Sequence, residues 1–273
     1  MILTDIHVHS TYSADGESSL KDMFARGKEL GLAYLGVSEH FDYDYNAIGL
    51  KINGQPAFTD AQAYFGEGRA LQKEGGKLKL LLGCEFGYSP SEAVGREYGE
   101  IIKKYSPDFI VNSVHTCDGH DCWFADYFEG KDKRRAYEDY LIRVKDSLSA
   151  PYRYDIVGHI GYVSRNAPYP DAKLRYCDFA ALFDDILSKI IERGKILEVN
   201  SSVRTAGSAH LPDCDVLERY FSLGGRKVSF ASDAHSAANI CRGREEVVRA
   251  LANIGFEYIT VPFRGEEVRV PIA

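Results

Sequence analysis

The stretch Ile6-His7-Val8-His9 ends the first apolar run of this 273-residue chain. Side chains alternate between the two faces of a β-strand, so residues two apart point the same way. Both imidazoles can therefore reach one metal ion at about 2.0–2.1 Å, the usual zinc–nitrogen distance. Two histidines at this spacing are also compatible with a plain polar strand edge. The rest of the chain decides between these two interpretations.

Five more short apolar stretches end in residues that commonly bind metals. They read Ser38-Glu39-His40, Gly83-Cys84-Glu85, Ser113-Val114-His115, Val157-Gly158-His159 and Ser232-Asp233-Ala234-His235. Six of the eight histidines thus lie at the ends of predicted strands. The other two, His120 and His210, lie in loops with no strand before them, so we leave them out of the predicted metal set.

The composition is that of a soluble globular enzyme, with 45% hydrophobic and 27% charged residues. The net charge of −7 argues against a large basic surface that follows a nucleic-acid backbone. A local cationic pocket for a single phosphate group remains compatible with this charge. A small anionic ligand is therefore favoured over a nucleic-acid partner.

The cysteines and the N-terminal segment indicate the cellular compartment. Six cysteines, at positions 84, 117, 122, 177, 214 and 241, lack the dense spacing of a disulfide scaffold and are interpreted as free thiols. A thiolate metal site at Cys117 and Cys122 is the alternative. The chain begins directly with a strand pattern, and no apolar run approaches the roughly 18 residues of a membrane span. We expect a cytoplasmic protein without a membrane partner.

Short apolar runs alternate with longer amphipathic ones, which is typical of βα units around a parallel sheet. The predicted strands are 2–7, 34–38, 79–84, 109–114, 156–157, 196–200 and 228–231, with a terminal strand near 257–263. The predicted helices are 18–31, 59–75 (ending at Gly75-Gly76), 92–104, 133–149, 177–193, 213–223 and 243–254. Residues 42–58 and 117–132 are predicted to be long loops. Seven βα units without a linker predict one distorted α/β barrel, a single domain over residues 1–273.

Catalytic groups of such barrels lie at the carboxyl ends of the strands, where the metal-type residues of this chain are predicted. The candidate ligands are His7, His9, Asp15, His40, Glu85, His115, His159, Asp233 and His235. Nine groups suit two or three ions that share a bridging carboxylate, and the nitrogen-rich mixture favours Zn²⁺, Mn²⁺ or Fe²⁺. Asp233 and His235 have the alternative role of helix capping, and Asp15 that of a turn residue.

Taken together and in this order, these motifs resemble the PHP (polymerase and histidinol phosphatase) family of metal-dependent phosphoesterases. The similarity runs from residue 5 to residue 235 and includes Ser13-Ala14-Asp15-Gly16. The resemblance implies a (β/α)7 barrel of the TIM-like PHP type with a trinuclear metal site.

The resemblance also implies how the ligands divide among three ions. His7, His9, Glu85 and Asp233 would hold the first ion. Glu85, His115 and His159 would hold the second, so that Glu85 bridges. Asp15, His40 and His235 would hold the third, and because some family members carry histidine in place of Asp15, this site would be weaker or take a harder ion.

Within the family, the chain is most similar to the monofunctional histidinol-phosphate phosphatases. The similar features are the chain length, Ser113-Val114-His115 followed by Asp118-Gly119 and an aromatic loop, and Glu198-Val199-Asn200-Ser201-Ser202 with Arg204 nearby. The implied reaction is hydrolysis of L-histidinol phosphate to L-histidinol and phosphate, a step of histidine biosynthesis.

Arg165 and Arg204 are candidates for binding phosphate, because an arginine fork fits phosphate oxygens in a bidentate manner. The catalytic set is thus Glu85, Asp233, His235, Arg165 and Arg204, and the substrate-binding set is Arg165, Arg204, Phe86, Trp123, Phe124 and Tyr162. Plain surface positions for the arginines and plain packing roles for the aromatic residues are the alternatives.

Two other functions stay open at this stage. One is a PHP-type phosphodiesterase or nuclease that acts on nucleotides or short nucleic acid, although the acidic charge disfavours a long polymer. The other is a non-catalytic metal-binding module, although none of the nine candidate ligands is missing.

Overall fold

Seven parallel strands form a nearly closed barrel in the computed structural model, which describes residues 3–74 and 76–272. In the described residues the strands are β1 (Leu3–Val8), β2 (Leu32–Phe41), β3 (Lys79–Gly87), β4 (Phe109–Ser113), β5 (Thr116–Cys117), β6 (His120–Asp121), β7 (Ile156–Val157), β8 (Ile196–Asn200), β9 (Val228–Ala231), β10 (Tyr258–Phe263) and β11 (Glu266–Pro271). The order around the barrel is β1-β2-β3-β4-β7-β8-β9. The prediction of a seven-stranded α/β barrel is confirmed.

The barrel closes through the segment that follows β9. Val8 and Ala234 form a parallel bridge, and the His9 N–H donates to the Ala234 carbonyl at 2.8 Å. The Asp233 N–H donates to the His7 carbonyl, also at 2.8 Å. These backbone bonds place the first and last metal-type motifs of the sequence side by side.

Helices cover the outside of the barrel and connect successive strands. Within the described residues they are α1 (Leu20–Glu29), α2 (Tyr43–Ile48), α3 (Ala61–Lys73), α4 (Glu92–Tyr105), α5 (Lys133–Ser147), α6 (Ala180–Glu192), α7 (Cys214–Ser222) and α8 (Arg244–Ile254). Side-chain caps begin several of them: Ser19 Oγ accepts from the Asp22 N–H at 3.1 Å, and Asp132 Oδ1 accepts from the Arg135 N–H at 2.8 Å. Each such cap fixes where a strand-to-helix loop ends.

The amino-terminal end of the barrel is filled with apolar side chains. Phe109 packs with Leu81 and Val111 inside this end, and the β10–β11 hairpin adds Val261 and Val270. A side chain at Gly36 or Gly83 would collide with the Phe109 ring, so glycine is required there by close approach. The apolar plug thus fills the end of the barrel opposite to the carboxyl end, where the metal-type side chains lie.

The structure differs from the sequence prediction mainly outside the barrel strands. The predicted loop 42–58 contains helix α2, and the predicted loop 117–132 contains the short hairpin β5–β6 and a 3-10 helix at Ala125–Phe128. Strand β11, which pairs with β10 in an antiparallel hairpin beneath the barrel, was not predicted. Ile2 and Gly75, which belonged to a predicted strand and helix, lie outside the described residues. None of the described helices is long and apolar enough to cross a membrane.

Candidate metal centre

All nine candidate ligands lie together at the carboxyl end of the barrel. β1, β2, β3 and β4 carry or directly precede His7, His9, His40, Glu85 and His115, and His159, Asp233 and His235 follow β7 and β9. Asp15 comes from the loop between β1 and α1. Parallel strands bring their carboxyl ends to one edge, which is why residues so distant in sequence meet there.

The first group of ligands surrounds the Glu85 Oε2 atom. His7 Nε2 lies 3.2 Å and His9 Nε2 lies 3.5 Å from this oxygen. Asp233 Oδ1 is 3.3 Å from His9 Nε2 and 3.9 Å from His7 Nε2. The two histidines of the opening motif therefore share one face of β1, as their spacing predicted, and their rings are 4.9 Å apart.

The second group surrounds the other oxygen of the same carboxylate. Glu85 Oε1 lies 2.9 Å from His159 Nε2 and 3.2 Å from His115 Nε2. The two imidazole nitrogens are 3.3 Å apart. Glu85 thus presents Oε1 to His115 and His159 and presents Oε2 to His7 and His9. The Nδ1 atom of His40 lies 3.1 Å from Oε2 as well.

The third group lies on the more exposed side of the centre. Asp15 Oδ2 is 3.2 Å from His235 Nε2 and 3.8 Å from His40 Nε2. The His9 ring stacks between His40 and His235, with both ring separations at 4.3 Å. Asp15, His40 and His235 are brought together as a set distinct from the ligands around Glu85 Oε1.

The spacing and burial of these atoms fit divalent cations. Two donors that each lie about 2.0–2.1 Å from a tetrahedral ion are about 3.3 Å apart, which matches most of the separations above. The Nε2 atoms of His7 and His9 and Glu85 Oε2 are buried and have no hydrogen-bond partner. Buried polar atoms without partners are costly, so a bound cation is the natural partner of these converging donors. No cysteine belongs to any cluster of potential ligands in the described residues.

Charges within the cluster shift the pKa values of its histidines in opposite directions. Burial, followed by the imidazoles of His40 and His235, lowers the pKa of His9 to about 3. Burial also lowers the pKa of His40, but the carboxylates of Asp42 and Asp15 outweigh this effect and raise it to about 10. A neutral imidazole is the form that binds a metal, so His9 is ready to bind whereas His40 must first lose a proton.

Three buried carboxylates that the sequence analysis did not place in the site support these ligands. Glu198 Oε2 is 2.7 Å from His7 Nδ1, and Glu39 accepts hydrogen bonds from Ser10 and Ser13. Asp42 lies between the rings of two candidate ligands. Strand alternation, used above for His7 and His9, could have indicated two of these carboxylates. Asp42 lies two residues after His40, and Glu198 lies two residues before Asn200, so each pair is spaced to share one face of a strand.

The two candidate phosphate-binding arginines have different surroundings. Arg165 is buried, and its Nη2 donates to Asp233 Oδ2 at 2.8 Å and to Asn200 Oδ1 at 3.0 Å. Arg204 is exposed, and its guanidinium lies 4.6 Å from the Trp123 ring centre. Arg165 is thus fixed against the first ligand group, whereas Arg204 rests on an aromatic face.

Of the four aromatic residues predicted to contact substrate, Tyr162 and Trp123 lie beside the second ligand group. The Tyr162 ring lies 5.0 Å from the His115 ring, and Trp123 lies 6.0 Å from Tyr162. Phe124 is 48% exposed on the neighbouring loop. The assignment of Phe86 to a substrate wall is wrong, because its fully buried ring stacks on Tyr98 at 4.2 Å on the helix side of β3.

The cysteines and the two excluded histidines lie apart from the ligand groups described above. All six cysteines are free, with Cys117 and Cys122 buried, as the free-thiol interpretation predicted. His120 lies in strand β6 of the short hairpin, and its exposed Nδ1 is 3.0 Å from Asp126 Oδ2. His210 Nδ1 lies 2.7 Å from the Pro212 carbonyl oxygen.

Comparisons with known proteins agree with this architecture. The PHP domain family model matches residues 5–202. A probable histidinol-phosphatase of Clostridium acetobutylicum is 27% identical over 85% of this chain and 86% of its own length. One from Thermotoga maritima is 26% identical over 95% of both chains.

One solved structure extends the comparison to the fold. The histidinol phosphate phosphatase of Lactococcus lactis, solved with zinc, L-histidinol and phosphate, superimposes with a TM-score of 0.84. It is 23% identical, and the match covers 97% of this chain and 98% of the other.

Proposed function

This chain belongs to the PHP domain family, and from that premise we propose that it is a metal-dependent phosphomonoesterase that hydrolyses L-histidinol phosphate. The products are L-histidinol and phosphate. Relatives named histidinol-phosphatase match the chain over 85% of its length or more. We further propose that residues 1–273 act as one catalytic domain with two or three divalent ions, chosen from Zn²⁺, Mn²⁺ and Fe²⁺.

The observation that carries the proposal is the position of the Glu85 carboxylate. Its two oxygens face separate groups of imidazoles at 2.9–3.5 Å, as expected for a carboxylate that bridges two ions. In such a centre, divalent ions lower the pKa of water and neutralise charge on a phosphoryl group. In this assignment His7, His9 and Asp233 complete the first site, and His115 and His159 the second. Asp15, His40 and His235 form the third.

The protein positions a guanidinium beside this centre. Because Asp233 and Asn200 hold Nη2 of Arg165, the guanidinium is fixed over the first ligand group. Its Nε is buried and has no hydrogen-bond partner. We assign this edge of Arg165 to a phosphate oxygen, where a preorganised cation stabilises the charge that develops during phosphoryl transfer.

The organic part of the substrate is assigned to the aromatic side of the centre. Tyr162 and Trp123 lie beside the second ligand group with their ring planes tilted by 33°, and the exposed guanidinium of Arg204 lies on the Trp123 face. The imidazole ring of histidinol suits these two rings, because flat rings stack favourably on aromatic side chains. In this assignment the exposed guanidinium of Arg204 contributes a second positive charge toward the phosphate.

The test is a panel of three esters: L-histidinol phosphate, p-nitrophenyl phosphate and bis-p-nitrophenyl phosphate. Each is assayed with the protein as purified, after treatment with a chelator, and after reloading with Zn²⁺ or Mn²⁺. We expect the highest kcat/KM for L-histidinol phosphate, loss of activity with chelator and recovery with metal. A preference for the diester would instead support a phosphodiesterase, and inactivity on all three esters after loading would support a binding module.

A further inference from the structure

Asp42 is a fully buried carboxylate that lies between two imidazoles of different ligand groups. Its Oδ2 is 3.1 Å from His40 Nδ1, and its Oδ1 is 3.3 Å from His115 Nδ1. Asp42 is the last residue before helix α2, and 0% of its own surface is exposed. One carboxylate therefore faces the same nitrogen of two separate rings.

The other nitrogen of each ring faces a different part of the metal centre. His115 Nε2 points to Glu85 Oε1 at 3.2 Å, and His40 Nε2 points toward Asp15 Oδ2 at 3.8 Å. A neutral imidazole has one N–H donor and one lone pair. If each Nε2 lone pair binds an ion, each Nδ1 must carry the hydrogen. Asp42 is a carboxylate that lies within 3.3 Å of both Nδ1 atoms, and His40 Nδ1 also lies 3.1 Å from Glu85 Oε2. The two Nδ1 atoms and the two Asp42 oxygens form no hydrogen bond in the structure, so the pairing proposed here requires the rings and the carboxylate to align.

We propose that Asp42 is a shared positioning residue that sets the tautomer and orientation of His40 and His115 and so links two metal sites. This inference rests on the proposed metal centre and deepens it. Histidine ligands commonly donate their second N–H to a carboxylate, and such partners strengthen and orient the ligand. Glu198 has this relation to His7 alone, whereas Asp42 serves two histidines that belong to the second and third sites.

The surroundings of Asp42 hold the carboxylate in place. A methyl group at Gly87 would collide with the carboxylates of both Asp42 and Asp44, so the backbone of β3 packs directly against them. Asp44 itself accepts a hydrogen bond from Thr116 Oγ1 at 2.7 Å. Asp42 therefore has little room to rotate away from the two rings.

An alternative is that Asp42 is itself a ligand of an additional ion. Donor atoms of His40, Asp42 and His115 lie within 4.8 Å of one another. An ion on both Nδ1 atoms would require each ring to bind metals through both nitrogens, because the Nε2 atoms already face other sites. That would demand two doubly deprotonated imidazoles, which we regard as the less favourable chemistry, and the experiment below separates the two arrangements.

The substitution Asp42→Asn keeps the size of the side chain but changes what it can accept. An asparagine oxygen accepts from one Nδ1–H, while its NH₂ group faces the other ring and forces the hydrogen of that ring onto Nε2. One of the two histidines then loses its lone pair toward the ion. We expect about a 10- to 100-fold weaker affinity at one site, the usual effect of removing such a partner.

The matched control is Asp44→Asn, which removes a neighbouring buried carboxylate that contacts Thr116. Wild type and both variants are loaded with Zn²⁺, and metal content is measured after competition with a chelator of graded strength. In parallel, two-dimensional ¹H–¹⁵N NMR of histidine-labelled protein reports which ring nitrogen carries the hydrogen. We expect Nδ1–H protonation of His40 and His115 in the wild type and in Asp44→Asn, and loss of one Nδ1–H together with one weakened site in Asp42→Asn.

Several results would overturn the inference while leaving the proposed function intact. The first is a wild-type enzyme that binds metal and hydrolyses the ester although Nδ1 of His40 or His115 carries no hydrogen. The second is an Asp42→Asn protein with unchanged metal affinities and with Nδ1–H signals from both His40 and His115. A wild-type protein with four ions, one of which is lost in Asp42→Asn, would assign Asp42 as a direct ligand instead. The wild-type NMR result decides the matter even if the variant fails to fold. A wild-type protein that binds no metal would refute the proposed function itself.

Discussion

Replacement of Glu85 by alanine tests the bridging role on which the proposed centre depends. Five imidazole nitrogens lie within 3.5 Å of its two oxygens, more than surround any other carboxylate in the described part of the centre. The substitution would leave three protein ligands at the first site and two at the second. We therefore expect Glu85→Ala to lose two ions together and to abolish turnover.

The magnitude follows from the burial of this carboxylate, which is 1% exposed. Removal of one partner from a buried charged group costs about 3–5 kcal/mol. At about 1.4 kcal/mol per factor of ten, that cost corresponds to a loss of metal affinity of roughly 10²–10⁴-fold at each bridged site. A site that binds zinc at nanomolar levels would then be largely empty after dialysis.

The assay is metal analysis of the dialysed variant beside steady-state kinetics with L-histidinol phosphate. Asp155→Asn is the control, because Asp155 is a carboxylate at the opposite end of the barrel that accepts the Ile110 N–H at 2.8 Å. The control should keep the wild-type metal content and activity. If Glu85→Ala retained both ions at normal occupancy while remaining folded, the bridge would be misassigned.

Three further predictions concern protons, substrate and stability. Carboxylates outweigh burial and raise the pKa values of His7, His40 and His115 in the metal-free protein. Metal binding near pH 7 should therefore release protons, and metal affinity should increase as pH rises. Calorimetry in buffers of different ionisation enthalpy measures this release, and a value of zero would contradict the prediction. Arg204→Ala should raise KM for L-histidinol phosphate about tenfold through loss of a charged hydrogen bond while metal content stays constant, whereas Arg226→Ala, which alters a distant surface arginine, should leave KM unchanged. Ions present at 100 times their Kd should stabilise the fold by about 2.7 kcal/mol, so a chelator should lower the melting temperature, and an unchanged melting curve would argue against bound ions.

The fold and most of the candidate site were predictable because both follow from strand periodicity. The pair His7 and His9 indicated one face of β1, and metal-type residues at six strand ends indicated a common edge of a parallel barrel. Closure of the barrel then brings His9 and Asp233 within 3.3 Å, although 224 positions separate them in the sequence. Local sequence patterns were sufficient to predict the ligand set, because the carboxyl ends of all strands lie next to one another in a parallel barrel.

The errors arose where the same periodicity was not carried far enough. Glu85 faces the barrel interior, so its neighbour Phe86 must face the helices, where it packs on Tyr98. The role of Asp42 in the site was not predicted, because β2 was expected to end at residue 38, whereas the strand continues to Phe41 and Asp42 directly follows it. Strand β11 was missed because its exposed, charged positions give a weak apolar pattern.

The most direct test of the proposed centre is a crystal structure of metal-loaded protein with anomalous diffraction at the metal absorption edge. We predict two or three anomalous peaks at the carboxyl end of the barrel, with each Glu85 oxygen bound to a different ion and with His7 and His9 on the same ion. Fully loaded crystals with no peak there, or with one ion that does not contact Glu85, would contradict the central claim.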